Sequence, residues 1–216
     1  MTRRRNAAAR CARCKMRHNV CVCALLPSLQ TRTRLLLLIH RDEVSKPTNT
    51  GRLAALCLAN SDVVCRGRKG LETPLLLHEQ TQPLLLFPHA DATPITDWVG
   101  CARPITLIVP DGTWRQAGKT RKRVPALHHI PCVSLPVGET SRYQLRNEHR
   151  ADGLATMEAI ARAFGLLEGA PIEQALSQVF RCVVDRTLWM RGKLPAERVF
   201  GGIPAGAKRH DRVSVS

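Results

Sequence analysis

The stretch Ile105 to Gln116, reading Ile-Thr-Leu-Ile-Val-Pro-Asp-Gly-Thr-Trp-Arg-Gln, constrains this chain more than any other. Ile105, Leu107, Ile108 and Val109 leave no face of an extended segment suited to water, so the stretch reads as a strand buried on both sides. Pro110 lacks a backbone donor and is expected to stop that strand. Asp-Gly-Thr-Trp follows, and a basic, helix-compatible run begins at Arg115. In open α/β sheets ligands gather at the carboxyl ends of strands, which makes Asp111 a candidate working group. The same residues also read as a plain turn, with Asp111 as a helix N-cap and Trp114 in the core.

The rest of the chain repeats the alternation of short apolar runs and helical patterns. Strands are expected at Arg34–His40, Asp62–Cys65, Leu75–His78, Pro83–Phe87, Ile105–Val109 and Ile130–Leu135. Thr48, Asn49 and Thr50 are good caps for a helix to about Asn60, with Leu53, Leu56 and Cys57 on one face. Asp152 and Gly153 open a helix from Leu154 to Leu167, on which Leu154, Met157, Ala161 and Phe164 form a stripe. Gly169 ends it, and Pro171 suits the first turn of a last helix reaching about Met190. This order predicts an α/β fold with a mostly parallel sheet flanked by helices and right-handed crossovers. Polar stretches at 110–116, 134–146 and 153–158 each adjoin a sheet element and are expected to converge on one sheet edge as a pocket.

Charge narrows the choice of partner. The chain carries 33 Lys plus Arg against 17 Asp plus Glu. Residues 1–41 hold ten basic side chains and no acidic one, and residues 115–123 add five more. Such an excess suits a polyanion rather than a small metabolite. No amphipathic helix accompanies the basic start, which favours nucleic acid over an anionic membrane face. No apolar run approaches a membrane span, and Met-Thr-Arg-Arg-Arg lacks the apolar core of a secretory signal. A cytoplasmic protein is expected.

Nine cysteines without a signal peptide argue against a disulfide framework. Cys11, Cys14, Cys21 and Cys23 form Cys-x2-Cys-x6-Cys-x-Cys, two pairs that can clamp a tetrahedral Zn(II). Too few residues lie in that span to fold without such a staple; the alternative is four reduced cysteines in a flexible tail. The remaining five read as small buried residues. Beside Lys46 and Arg52, the helix start at 48–50 could hold an anion or be merely capped. The expected organisation is a basic segment with a zinc knuckle over 1–30, a catalytic α/β domain over 31–204 and a mobile basic tail over 205–216.

Taken in order, these motifs resemble the DTW-domain family of tRNA-uridine aminocarboxypropyltransferases. The resemblance rests on the four-cysteine motif and on His40 with Glu43-x2-Lys46-Pro-Thr-Asn-Thr. It continues through Asp111-Gly-Thr-Trp114 with Gln116-Ala, Ser134-Leu-Pro136, Ser141-x-Tyr143-x-Leu-Arg146 and Leu154-Ala-Thr156-Met-Glu158-Ala. It runs from residue 11 to about residue 165, and Gly112 between Asp and Thr fits the family's Asp-x-Thr-Trp pattern.

The resemblance implies a fold related to the SPOUT methyltransferases, with a C-terminal knot, and S-adenosylmethionine as donor. It implies transfer of the 3-amino-3-carboxypropyl group to N3 of a tRNA uridine, giving 3-(3-amino-3-carboxypropyl)uridine and methylthioadenosine. Asp111 would be catalytic, as base or as a holder of the uracil edge. The donor would lie among Pro110, Gly112, Thr113 and Trp114, the Ser134, Leu135 and Pro136 loop, and Ser141, Tyr143, Leu145 and Arg146. Thr156 and Glu158 would close the pocket, although Glu158 also suits the helix dipole as a first-turn acid. Trp114 would stack on a base or adenine, or belong to the core.

RNA contacts are expected from Arg115, Lys119, Arg121, Lys122 and Arg123, from Lys46, Asn49 and Arg52, and from Arg13 and Arg17 on a structural zinc knuckle formed by Cys11, Cys14, Cys21 and Cys23. The expected partner is tRNA, with no membrane, no obligate protein partner and a monomeric chain. Two other functions fit the residues: an S-adenosylmethionine-dependent RNA methyltransferase using the same pocket, and a zinc-containing RNA-binding protein without catalysis.

Overall fold

A computed structural model describes residues 9–47, 49–67, 73, 75–136 and 154–209. Its centre is a six-stranded sheet in which every neighbouring pair is parallel. The strands are β1 (Arg34–His40), β2 (Ser61–Arg66), β3 (Gln82–Leu86), β4 (Thr93–Pro94), β5 (Ile105–Asp111) and β6 (Cys132–Ser134), in the order β2-β1-β5-β3-β6-β4. The helices are α1 (Gly51–Cys57), α2 (Trp114–Gly118), α3 (Thr120–Arg123), α4 (Thr156–Glu168) and α5 (Ala170–Met190). The α/β class, the parallel sheet and the flanking helices agree with the expectation from sequence.

β1 and β5 are the middle of the molecule because every residue of both is buried. Leu35, Leu37 and Ile39 point into a large core shared with α1, α4, α5 and the cysteine segment. Leu36 and Leu38 point the other way, into a smaller core with Ile108, Leu127 and Ile130. α4 presents Met157, Ile160, Ala161 and Phe164 to the large core, the i, i+3, i+4, i+7 stripe of an amphipathic helix. Gly169, at φ +106°, ends α4 and turns the chain directly into α5.

Several local expectations are corrected. β5 does not stop at Pro110: it pairs with β1 through Leu38↔Pro110 and Ile39↔Asp111. β3 pairs with β5 only as far as Ile108, so beyond that point one flank of β5 carries no ladder for the proline to break. Leu75–His78 is not a strand. Leu76 is 76% exposed, and its carbonyl accepts from Arg34 Nη1 at 3.0 Å in place of a ladder bond. α1 ends at Cys57, not near Asn60, because Leu58 turns extended and bridges Leu29. The short edge strand β4 was not anticipated, and α4 begins two residues later than Leu154. Thr48, Asp152 and Gly153 lie outside the described residues.

Candidate active site

At the carboxyl edge, β1 ends in His40 and β5 ends in Asp111, side by side. Asp111 is 5% exposed. Its Oδ1 accepts from Thr156 Oγ1 at 2.6 Å, and its Oδ2 accepts from Asn49 Nδ2. The same junction is closed by the Met157 backbone N–H, which donates to Thr50 Oγ1 at 3.4 Å. Thus the loop before α1, the end of β5 and the start of α4 meet around one carboxylate. Gly51 permits the approach, since a Cβ there would lie 3.0 Å from Asp111 Oδ2 and 3.0 Å from Thr156 Cγ2.

The turn after Asp111 is held by a capping box. Thr113 is the N-cap of α2; its Oγ1 accepts from the Gln116 backbone at 3.3 Å, and its own N–H donates to Gln116 Oε1 at 2.8 Å. The plain-turn alternative therefore fails in both parts. Asp111 is the last residue of a strand and not the cap, and Trp114 is 41% exposed and not core. Its ring lies 5.0 Å from that of Phe87.

Because Gln116 Oε1 is committed to Thr113, its amide nitrogen faces His40, with Nε2 3.0 Å from Nδ1. The Asp42 backbone N–H points at the same ring nitrogen at 3.3 Å. Nδ1 is thus an acceptor, which assigns the neutral tautomer protonated at Nε2. Burial, then the positive charge of Arg66, pushes the His40 pKa below its usual value; Asp42 Oδ2, 3.3 Å from Nδ1, pulls the other way and is outweighed. Arg66 is itself buried, donating from Nη2 to the Gln116 carbonyl at 2.8 Å, and burial followed by repulsion from Arg123 lowers its pKa to about 10. Sequence reasoning gave His40, Gln116, Gly51 and Arg66 no role. Only Gln116 left a local signal, the Thr-x-x-Gln spacing of a capping box.

The other expected donor-site residues are divided. Pro110, Gly112, Thr113 and Thr156 surround Asp111 along the chain or through the hydrogen bond above. Ser134 ends β6, two strands from β5, with Leu135 and Pro136 following. Glu158 Oε2 accepts from the Ala155 N–H at 2.9 Å, which makes it a cap of α4. Ser141, Tyr143, Leu145 and Arg146 lie outside the described residues.

Among the expected RNA contacts, Arg115 on α2, Lys119 between the helices, and Lys122 and Arg123 on α3 are exposed, whereas Arg121 pairs with Asp91 at 2.5 Å. Lys46 pairs with the buried Glu43 at 2.5 Å, and Arg52 donates to the Val44 carbonyl at 2.9 Å. Asn49 belongs to the Asp111 junction.

The four cysteines come together as the spacing predicts. The bridge Arg10↔Arg17 and the bond from Cys11 N to the Met16 carbonyl, 2.8 Å, fold the segment into a small hairpin. All four sulfurs lie within 4.8 Å of one another, with Cys11–Cys23 and Cys14–Cys21 at 3.6 Å. A tetrahedron with Zn–S bonds of about 2.3 Å needs sulfurs about 3.8 Å apart, so the cluster can hold a metal ion. Backbone donation from Cys14 brings the Cys11 thiol down to about 6, whereas burial pushes the Cys14 and Cys23 thiols up, so a cation bound among the sulfurs is what would hold all four as thiolates. Cys14, Val20 and Val22 are buried in the main core, so the knuckle is built onto the sheet domain.

Among the described residues, no helix is long and apolar enough to cross a membrane. The chain is 31% identical to "tRNA-uridine aminocarboxypropyltransferase 2" of Drosophila melanogaster over 175 residues, covering 77% of this chain and 69% of the fly protein. Proteins of the same name from Macaca fascicularis (30% over 167 residues) and Mus musculus (32% over 168 residues) are each matched over 73% of this chain and 56% of their own length. No solved structure matches. The model of the DTW domain matches residues 8–188, which include the cysteine cluster, the Asp111 junction and most of α5, and the chain belongs to that family.

Proposed function

We propose that the chain is a tRNA-uridine aminocarboxypropyltransferase. The observation that carries this reading is the buried Asp111 carboxylate, held by Asn49 and Thr156 at the carboxyl edge of the sheet, in a chain whose curated relatives bear that activity in their names. The donor is S-adenosylmethionine, whose sulfonium makes the adjacent aminocarboxypropyl carbon electrophilic. The protein then needs to orient uracil N3 toward that carbon and receive the N3 proton. Asp111 is the acceptor: as the N3–C bond forms and the C–S bond breaks, the N3–H proton passes to its carboxylate. Asn49 and Thr156 fix the plane of that carboxylate. Gln116 and His40 hold the turn that carries it.

Pro110, Gly112, Thr113 and Trp114, with Ser134 to Pro136, Thr156 and the segment bearing Ser141, Tyr143, Leu145 and Arg146, form the donor pocket in this reading. Arg115, Lys119, Lys122 and Arg123, exposed along the two short helices after Asp111 and the residue that joins them, meet phosphates flanking the presented uridine. The ion of the cysteine cluster is a structural zinc. The SPOUT-like knot that the family resemblance implies belongs to the same proposal. The chain works as a cytoplasmic monomer.

Incubation with bulk tRNA and S-adenosylmethionine, followed by mass spectrometry of the nucleosides, tests the reading. An aminocarboxypropyl group on uridine is expected; a methyl group alone would replace it with the methyltransferase, and no modification with tRNA bound would leave a zinc-containing RNA-binding protein.

A further inference from the structure

Far from Asp111 along the chain, the cysteine hairpin meets the basic segment that follows α5. On the knuckle, His18 N donates to the Ala9 carbonyl at 3.1 Å, which places Arg17, His18 and Asn19 in succession at the rim of the hairpin. The chain after α5 returns to the same place. Arg186, buried in α5, donates to Cys21 O at 2.6 Å, Gly202 O at 2.9 Å and Gly201 O at 3.2 Å, clamping the returning segment to the knuckle. Asn19 Nδ2 then donates to the Lys208 carbonyl at 2.8 Å, and Arg209 Nη2 to the Leu194 carbonyl at 3.1 Å.

An open cleft of about 370 Å³ results, lined by Arg17, His18, Asn19, Met190, Lys208 and Arg209, with Ala9 at its margin and, among the described residues, no carboxylate. Lys208 is held through its backbone carbonyl, so its ammonium is not spent on keeping the segment in place. Arg17, Lys208 and Arg209 concentrate positive charge around this cleft, which attracts a polyanion into the space between them.

We propose that this cleft is a docking surface for the phosphodiester backbone of RNA, a second contact for the tRNA engaged at Asp111. The proposal rests on the transferase reading for the identity of that RNA. Direction supports it. α4 starts at Asp111 and ends at Glu168, whose carboxylate accepts from Arg32 N and Thr33 N beside the amino end of β1. α5 turns back after Gly169, and its 21 residues rise about 31 Å toward the catalytic side of the sheet. The cleft sits at that far end. Its cationic lining is concave, and a concave basic cleft suits a phosphodiester strand better than the flat face of an anionic bilayer.

The test compares tRNA affinity across salt concentrations for the full chain and for the double variant Lys208→Ala/Arg209→Ala. The variant is expected to bind tRNA about tenfold more weakly at moderate salt, with a log–log salt slope smaller by about 1–2. Donor binding, read by calorimetry, stays as in the wild type, and the charge-conserving Lys208→Arg/Arg209→Lys retains tRNA affinity. Unchanged affinity and slope in the alanine variant, or equal losses in both variants, would overturn the proposal. Loss of binding to phosphatidylserine vesicles with tRNA binding intact would assign the cleft to membrane instead. Wild-type product with unchanged variant affinity sinks the cleft and leaves the transferase. Wild-type tRNA binding through the cleft without product sinks the transferase and leaves the cleft, and absence of tRNA binding sinks both.

Discussion

Thr156 donates its hydroxyl to Asp111 Oδ1 at 2.6 Å, joining the first residue of α4 to the last residue of β5. Asp111→Asn keeps the shape of the side chain but replaces one acceptor oxygen with a donor facing Thr156 or Asn49. Product formation is expected to fall by about 10²- to 10⁴-fold, the usual worth of a positioned proton acceptor. Thr156→Val, which removes only the donor, should cost less and mainly lower kcat. Nucleoside analysis at saturating donor measures both, and full turnover by Asp111→Asn would reduce the carboxylate to a structural group.

Gly51→Ala adds a methyl 3.0 Å from Asp111 Oδ2 and 3.0 Å from Thr156 Cγ2. That spacing is too tight for the junction to stay as it is. A stability loss of about 1–3 kcal/mol from overpacking is expected. The accompanying loss of activity should be larger than the shift in melting temperature alone would explain, because the displaced atom is the carboxylate. Denaturant melts and rate assays on one preparation decide it.

The Gln116 amide and the His40 ring predict a pH effect. Wild-type His40 is buried neutral with a lowered pKa, so the folded protein takes up its proton at lower pH than the unfolded chain. Stability is therefore full above the unfolded value of about 6.5 and declines as pH falls from there toward the folded value. Gln116→Glu places a carboxylate opposite Nδ1 and raises the His40 pKa. The variant should then work best at acid pH and lose activity as pH rises through the new value. A pH–rate profile superimposable on the wild type would contradict this assignment of the tautomer.

Metal analysis of the purified chain should find one zinc per molecule, lost in Cys21→Ser. Since Cys14, Val20 and Val22 are part of the main core and Arg186 is bonded to the Cys21 carbonyl, loss of the metal should reach the whole domain. A fall in Tm of roughly 5–10 °C is expected, both for the variant and after chelation. An unaltered melting curve would confine the ion's effect to the knuckle surface.

Productive binding of tRNA should weaken steeply with salt. Each phosphate neutralised by an arginine or lysine contributes about 0.7–0.9 to the log–log slope. Arg115→Ala and Arg123→Ala, both at exposed positions after Asp111, should each lower that slope by about one without altering donor affinity. Equal slopes in wild type and variants would remove these side chains from the RNA path.

Much of this protein was legible in one dimension. The apolar runs at Leu35–Ile39 and Ile105–Val109, the second interrupted only by Thr106, read as strands covered on both faces, and the α4 stripe and Gly169 marked a helix and its end. The cysteine spacing marks a cluster able to hold a metal ion. These signals are local: each is a rule about burial, capping or ligation that neighbouring residues satisfy among themselves.

What lay beyond the sequence is what the tertiary structure decided. Asn49, Asp111 and Thr156 are separated by 62 and 45 residues, and no periodicity relates them; only the insertion of β5 next to β1 and the return of α4 put their polar atoms within bonding distance. The same holds for His40 with Gln116, 76 residues apart, and for Asn19 with Lys208, 189 apart. Pro110 shows the converse, since a residue that ends a strand by local rules continues one where the neighbouring ladder has already stopped. Local chemistry determined which segments could be strands, helices and a cysteine cluster able to hold a metal ion. Long-range packing determined which of their ends share a site, because burying both faces of β1 and β5 leaves the chain few ways to close around them.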